Sequence, residues 1–225
     1  MKDLKIHCIS DTHTLHNRLN LPGGDILIHS GDMTSKGSFK QVAEFTEWFG
    51  AQKYNHLVLI PGNHDFAFEE AYGVCETECK LRNITLLHDS GAEIEGIKFW
   101  GSGITPWFYD WAFNRERGAD IKKHWDLIPE DTEVLVTHGP PFGILDMTLP
   151  SYGNGQNVGC EELIAKIWKT QVKLHVFGHI HEGRGTKREL DKLFVNASTL
   201  DEKYRMNINE PIRVVRSEDG TYDIE

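Results

Sequence analysis

The stretch His56-Leu57-Val58-Leu59-Ile60-Pro61-Gly62-Asn63-His64-Asp65 decides the fold. Its first half is a short, continuous apolar run. Its second half turns on Pro and Gly and then offers three polar side chains in a row. Continuous apolar runs of this length suit strands buried on both faces. Four further runs have the same form. Residues 5–10 lead into Asp11-Thr12-His13, and 25–30 into Gly31-Asp32. Residues 133–137 lead into His138-Gly139-Pro140-Pro141, and 174–177 into Gly178-His179-Ile180-His181.

Helical patterns fall between these runs, as an α/β fold requires. Ser38 is a good N-cap for an amphipathic segment through Gly50, with Phe39, Val42, Phe45 and Phe49 on one stripe. Residues 115–125 and 160–169 also read as helices, and 66–81 does so in part, with Gly73 as its weak point. The rest reads as short antiparallel strands. These are 84–87, 92–95 and 98–101, with turns at Gly91 and Gly96, and then 193–196, 212–216 and 221–224. Glu218-Asp219-Gly220 is a turn signal. No linker, repeat or low-complexity segment interrupts the chain, so residues 1–225 are expected to form one domain.

The five apolar runs all end in side chains that bind metals: Asp11 and His13, Asp32, Asn63 and His64, His138, and His179 and His181. In open α/β sheets, ligands sit outside the carboxyl ends of the strands. Asp11 and His13 are two residues apart, as are His179 and His181, so each pair points one way from extended backbone. Gly31, Gly62, Gly139 and Gly178 flank the ligands and allow close backbone approach. Carboxylate and imidazole donors without a thiolate suit borderline divalent ions such as manganese, iron, zinc, cobalt or nickel better than calcium.

Composition bounds the partners. Hydrophobic residues make up 39% and charged residues 26%, which favours neither disorder nor a membrane protein. The net charge of −10 repels long nucleic acid and anionic lipid. Small anionic substrates stay open, because bound cations reverse the sign locally. Cys8, Cys75, Cys79 and Cys160 lack further soft ligands nearby and read as reduced thiols. Residues 1–10 are too short and polar for a signal peptide, and no apolar stretch approaches membrane-spanning length. The expected location is the cytoplasm, where the glycosylation patterns at Asn83 and Asn196 have no consequence.

In order, the five ligand motifs resemble those of the calcineurin-like metallophosphoesterases. They are Asp11-Thr12-His13, Gly31-Asp32, Gly62-Asn63-His64-Asp65, His138 and Gly178-His179-Ile180-His181, and they span most of the chain. Thr105-Pro106-Trp107-Phe108, residues 137–141 and Asn196-Ala197-Ser198-Thr199 add a likeness to the short metallophosphoesterase-domain proteins of that superfamily. The resemblance implies a four-layer α/β/β/α sandwich with two mixed sheets. It also implies two divalent cations, manganese first, bridged by Asp32. Asp11, His13 and His181 would complete one site, and Asn63, His138 and His179 the other. His64 would be the catalytic histidine, oriented by Asp65. In some animal relatives a Gly stands where this chain has His179, so the second site is expected to be complete here.

The implied function is metal-dependent hydrolysis of phosphate esters. Two cations roughly 3.5–4 Å apart clamp a phosphoryl group and lower the pKa of water, so a bridging hydroxide would attack phosphorus. His64 would protonate the leaving oxygen, which favours phosphodiesters, with cyclic nucleotides as the leading candidate. The competing readings are a phosphomonoesterase and a weakly active metal-binding scaffold. Protein serine/threonine phosphatases carry Glu where Asp65 stands, and the acidic balance disfavours a DNA nuclease.

Three features stay open. Trp107, Phe108, Trp111 and Phe113, followed by Arg115 and Arg117, read either as a wall that stacks on a nucleobase near phosphate or as a loop packed on the core. Residues 151–159 read as a mobile loop, a lid or a plain connection. His7, His29, His88 and His175 read as structural, and His16, His56 and His124 as surface residues. Oligomeric state leaves no signature in the sequence.

Overall fold

The computed structural model describes residues 2–225, with residues 152 and 153 described by backbone alone. Its strands are β1 (Leu4–Ile9), β2 (Gly24–Ser30), β3 (Tyr54–Ile60), β4 (Ile84–Leu86), β5 (Ser90–Ile94), β6 (Ile97–Ser102), β7 (Thr105–Pro106), β8 (Asn114–Arg115), β9 (Val134–Thr137), β10 (Leu174–Phe177), β11 (Gly185–Glu189), β12 (Lys192–Asn196), β13 (Ile212–Arg216) and β14 (Tyr222–Ile224). The helices are α1 (Phe39–Gly50), α2 (Phe66–Glu70), α3 (Tyr72–Lys80), α4 (Ala119–Trp125), α5 (Pro150–Gly153) and α6 (Glu161–Ile167). One six-stranded sheet has the order β14-β13-β1-β2-β3-β4 and the other β11-β12-β10-β9-β6-β5. Both are mixed: β1 to β4 run parallel, as do β6, β9, β10 and β12, while the strands flanking each set are antiparallel.

Period-two alternation explains the layers. Ile6, Cys8, Ile26, Ile28, Val58 and Ile60 share a buried cluster with Val134, Val136, Leu174, Val176, Leu193 and Val195, so the sheets pack face to face. The alternate residues Leu27, Leu57 and Leu59 join Val42, Phe45 and Phe49 of α1 and Cys75 and Cys79 of α3. Leu135, Phe177 and Phe194 likewise go with Ile121, Trp125, Leu163 and Ile167 of α4 and α6. The result is the expected α/β/β/α sandwich. Burial of each such side chain contributes about 1.5–3 kcal/mol. Ser38 caps α1 through an Oγ that accepts from Gln41 N at 3.3 Å, but Phe39 leaves the stripe and is exposed. All four cysteines are buried free thiols.

Several local expectations are corrected. β4 does not form an antiparallel meander with β5; it pairs parallel with β3 and extends the first sheet. The segment 66–81 breaks at Ala71, with φ −147°, and Gly73 sits inside α3. The helix expected over 115–125 begins only at Ala119, because Arg115 belongs to β8 and Gly118 takes φ +81°. Residues 151–159 are more structured than a free loop: Pro150–Gly153 is helical, Met147 and Asn157 form a bridge, and Val158 N donates to Asp146 O. His16 is buried against Phe45 and Trp48, and His124 is half-buried with Nδ1 2.6 Å from Asp89.

This topology brings five strand ends together. β1, β2 and β3 are parallel neighbours, as are β9 and β10, so their carboxyl ends emerge at one edge. There the sheets are tied: His138 Nδ1 donates to Ser30 O at 2.9 Å, and a bridge joins Ser10 to Ser198. Among the described residues no helix is long and apolar enough to cross a membrane.

Candidate metal centre

The strand ends deliver Asp11, His13, Asp32, Asn63, His138, His179 and His181 to this edge. Donor atoms of Asp11, His13 and His181 lie within 4.8 Å of one another, and so do those of Asp32, His138 and His179. Asn63 Oδ1 is 2.8 Å from His138 Nε2, which puts it with the second group. Asp32 Oδ2 lies 3.3 Å from His138 Nε2, 3.8 Å from His13 Nε2 and 3.9 Å from His64 Nε2.

The chain aims these imidazoles through its backbone. His13 Nδ1 donates to Thr34 O at 3.2 Å, His138 Nδ1 to Ser30 O, and His181 Nδ1 to Asp201 O at 2.8 Å. A carbonyl can only accept, so each ring carries a proton on Nδ1 and turns its Nε2 inward. His13 Nε2 is buried and has no hydrogen-bond partner among the described residues. An orphaned acceptor among carboxylates and imidazoles, with no thiolate, fits a borderline divalent cation.

The carboxylates are held equally closely. Asp11 accepts from His179 N at 3.0 Å and from Ser198 Oγ at 2.9 Å. Asp32 Oδ1 accepts from His64 N at 2.8 Å. Burial alone would push the Asp32 carboxyl up, but His138, together with His64 and His13, outweighs it and holds Asp32 well below the carboxylate range. Burial lowers His138, but the charge and hydrogen bond of Asp32, with Asp11 and the Ser30 carbonyl, together raise it to about 9; Asp11, the Asp201 carbonyl and Asp32 do the same for His181. Burial pushes His13 down to about 4 and His179 to about 3, which leaves both neutral. A divalent cation would take the place of the protons on the first pair.

Local strain marks the same residues. Asp11, His13, Asp32 and His179 all adopt left-handed φ, between 39° and 68°. Strain of this kind collects at functional sites. Two glycines are required by close approach. A Cβ on Gly31 would run into the His138 ring, and one on Gly178 would meet Asp11 Oδ2 and Ser10 Oγ.

His64 lies over this centre. Its Nδ1 donates to Ser35 O at 3.0 Å, and its ring packs against Trp111, tilted by 31° at a centroid distance of 4.1 Å. Asp65 does not hold this ring, contrary to expectation. Its carboxylate is fully buried and accepts from Gly62 N, Asp32 N and Thr34 N at 2.8–2.9 Å and from Thr34 Oγ1 at 2.7 Å. Asp65 therefore shapes the loops that carry Asp32 and Asn63.

A cavity of about 350 Å³ opens above the ligands. Trp107 and Phe108 line it and are 52% and 57% exposed, whereas Phe113 is buried in the core. The aromatic loop is thus divided between the two readings. Arg117 lines the cavity too, but its guanidinium is engaged by Val158 O, Gly159 O and Glu161. Arg115 is turned to His124 and its neighbour's carbonyl and does not line the cavity.

The sequence model of the calcineurin-like phosphoesterase family matches residues 4–183. The chain belongs to the calcineurin-like phosphoesterase family. Metal-dependent hydrolysis of phosphate esters is accordingly its chemistry. Human metallophosphoesterase domain-containing protein 1 is 37% identical over 227 residues, covering 91% of this phosphoesterase and 68% of its own length. A UPF0046 protein of Caenorhabditis elegans is 36% identical over 216 residues, covering 88% and 76%. The solved structure of TT1561 from Thermus thermophilus matches with a TM-score of 0.61 at 14% identity, over 99% of this chain and 98% of that one. Phosphopantetheinyl hydrolase from Mycobacterium tuberculosis matches at 0.60 and 13%, over 89% and 90%. At such identities the last two show the fold alone.

Sequence reasoning missed several working parts of this phosphoesterase. The carbonyls of Ser30, Thr34, Ser35 and Asp201 that aim the histidines belong to backbone and leave no side-chain signal. Tyr204 lines the cavity from a segment with no recognisable pattern. Ser198 was visible within Asn196-Ala197-Ser198, but its bond to Asp11 was not.

Proposed function

We propose that this phosphoesterase hydrolyses phosphodiesters at a pair of divalent cations. Asp32 supports the reading most: its Oδ2 lies within 4 Å of both His138 Nε2 and His13 Nε2, so one carboxylate serves both ligand groups. Asp11, His13 and His181 would hold one cation, and Asn63, His138 and His179 the other. Such cations polarise phosphoryl oxygens and make water a nucleophile near neutral pH, and manganese suits the donor set.

The protein's own groups do the rest. With Nδ1 tied to Ser35, the His64 ring has Nε2 free to hold a proton for the leaving oxygen. An alkoxide leaving group gains most from such an acid, which favours diesters over activated monoesters. Trp111 packs against His64 and restrains its ring. Trp107 and Phe108 offer exposed faces on which a base can stack, so cyclic nucleotides lead the candidates. The reading takes residues 1–225 as one cytoplasmic domain that acts on a small substrate. A second reading has its own support: donor atoms of His13, Asp32 and His64 also lie within 4.8 Å of one another, so His64 could be a ligand instead.

The test is a substrate panel on manganese-loaded wild type and His64→Ala: a chromogenic monoester, chromogenic and alkyl diesters, and 2′,3′- and 3′,5′-cyclic nucleotides. The proposal expects diesters to be preferred. It expects the variant to keep its metal and lose alkyl-diester turnover by roughly 100-fold or more. Full diesterase activity in the variant would refute the acid role, loss of metal would favour the ligand role, and a monoester preference would refute the substrate class.

A further inference from the structure

Residues 200–207 lie beside the Asp11, His13 and His181 group, and Asp201 organises them. Its carboxylate accepts from Lys203 N, Arg205 N, Arg205 Nε and Asn207 Nδ2, all at 2.7–2.9 Å. Its carbonyl accepts from Tyr204 N at 2.9 Å and from His181 Nδ1 at 2.8 Å. One backbone oxygen therefore aims a candidate ligand and also closes the turn that presents Tyr204.

Tyr204 is held at φ +57°, a region bulky residues rarely occupy. Its ring centroid is 4.9 Å from that of His13, 5.3 Å from His181 and 6.4 Å from His64, edge-on in each case. It is nevertheless 51% exposed and lines the cavity. An aromatic side chain there only for packing would be buried. No hydrogen bond engages this hydroxyl among the described residues. A strained backbone, an organised mount and an unengaged phenol beside three imidazoles of the site describe a group kept for a ligand.

We propose that Tyr204 is a substrate-contacting residue, whose hydroxyl donates to a phosphoryl oxygen and whose ring walls the His13 and His181 side of the cavity. The proposal rests on the site being a phosphoester site. It concerns binding common to ground and transition states, so it predicts a change in KM more than in kcat.

The experiment compares manganese-loaded wild type, Tyr204→Phe and Tyr204→Ala. Calorimetry gives the Kd for inorganic phosphate, elemental analysis the metal content, and a chromogenic diester KM and kcat. Both variants should keep the wild-type metal content. Tyr204→Phe should weaken phosphate roughly tenfold, the loss expected of one hydrogen bond to a charged oxygen, and Tyr204→Ala at least as much. The diester KM should rise in parallel while kcat stays within about threefold. Phosphate Kd within twofold of wild type in both variants would overturn the proposal. Loss of metal in Tyr204→Ala would also overturn it, by making the residue a support of the ligand loops. Wild type that binds phosphate but hydrolyses no diester would sink the phosphodiester reading, and the Tyr204 question would still be decided by the phosphate Kd.

Discussion

Replacing Asp65 by Ala removes a carboxylate that is fully buried and leaves its donors facing a void. Gly62 N, Asp32 N and Thr34 N lose acceptors at 2.8–2.9 Å, Met33 N one at 3.4 Å, and Thr34 Oγ1 one at 2.7 Å. Each stranded buried donor costs about 1–3 kcal/mol. Thr34 Oγ1 retains the His64 carbonyl at 3.0 Å, and water entering the vacated space offsets part of the rest. Several stranded donors, less that offset, leave a net loss of about 3–5 kcal/mol. With a urea m-value near 3 kcal/mol/M, the midpoint of the metal-free protein should fall by roughly 1–1.7 M. Asp32 N is among the stranded donors, so the shared ligand loosens and metal affinity should drop roughly 10- to 100-fold. Urea unfolding followed by circular dichroism, then calorimetric metal titration, measures both effects. A midpoint within about 0.3 M of wild type, with normal metal binding and only kcat reduced, would refute this reasoning. That pattern would return Asp65 to the role of orienting His64.

Stability should also fall in acid for a reason unrelated to the metals. Burial pushes His16 down to about 4 and His29 and His175 to about 3, so the unfolded chain binds more protons from about pH 6.5 downward. Stability is therefore lost as pH falls through that window, at about 1.4 kcal/mol per pH unit for each histidine. Urea midpoints at pH 7 and 5 should diverge less in His16→Phe; an unchanged divergence would contradict this. Trp107→Ala should raise KM roughly tenfold for a cyclic nucleotide but little for a small chromogenic diester, and equal effects would assign Trp107 to packing. His179→Gly should lower the retained metal from two equivalents to one, and two equivalents in that variant would remove His179 from the ligand set.

The sequence was most legible where chemistry and periodicity coincided. β1, β2, β3, β9 and β10 are short apolar runs that stop at a ligand, and their burial on both faces leaves little choice of structure. Seven ligand candidates at five strand ends followed from that pattern, and the fold gathers them at one edge. Pairing direction was less legible. β4 carries the same kind of residues as a hairpin strand, and only its neighbour β3 makes it parallel. Arg115 and Arg117 invited a phosphate role because sequence shows charge but not partners; the structure assigns one to His124 and the other to Glu161 and two carbonyls. Asp65 misled in the same way, since adjacency to His64 in the chain says nothing about where a side chain turns at a helix start. Tyr204 was invisible because its place depends on the turn built around Asp201.

The account rests on Asp32 serving two ligand groups at once, and metal stoichiometry tests this most directly. Wild type and Asp32→Ala would be loaded with manganese, dialysed and measured by elemental analysis. The account predicts two equivalents per chain in wild type and fewer than one in the variant. Wild type that retains no metal, or a variant that retains as much as wild type, would contradict it.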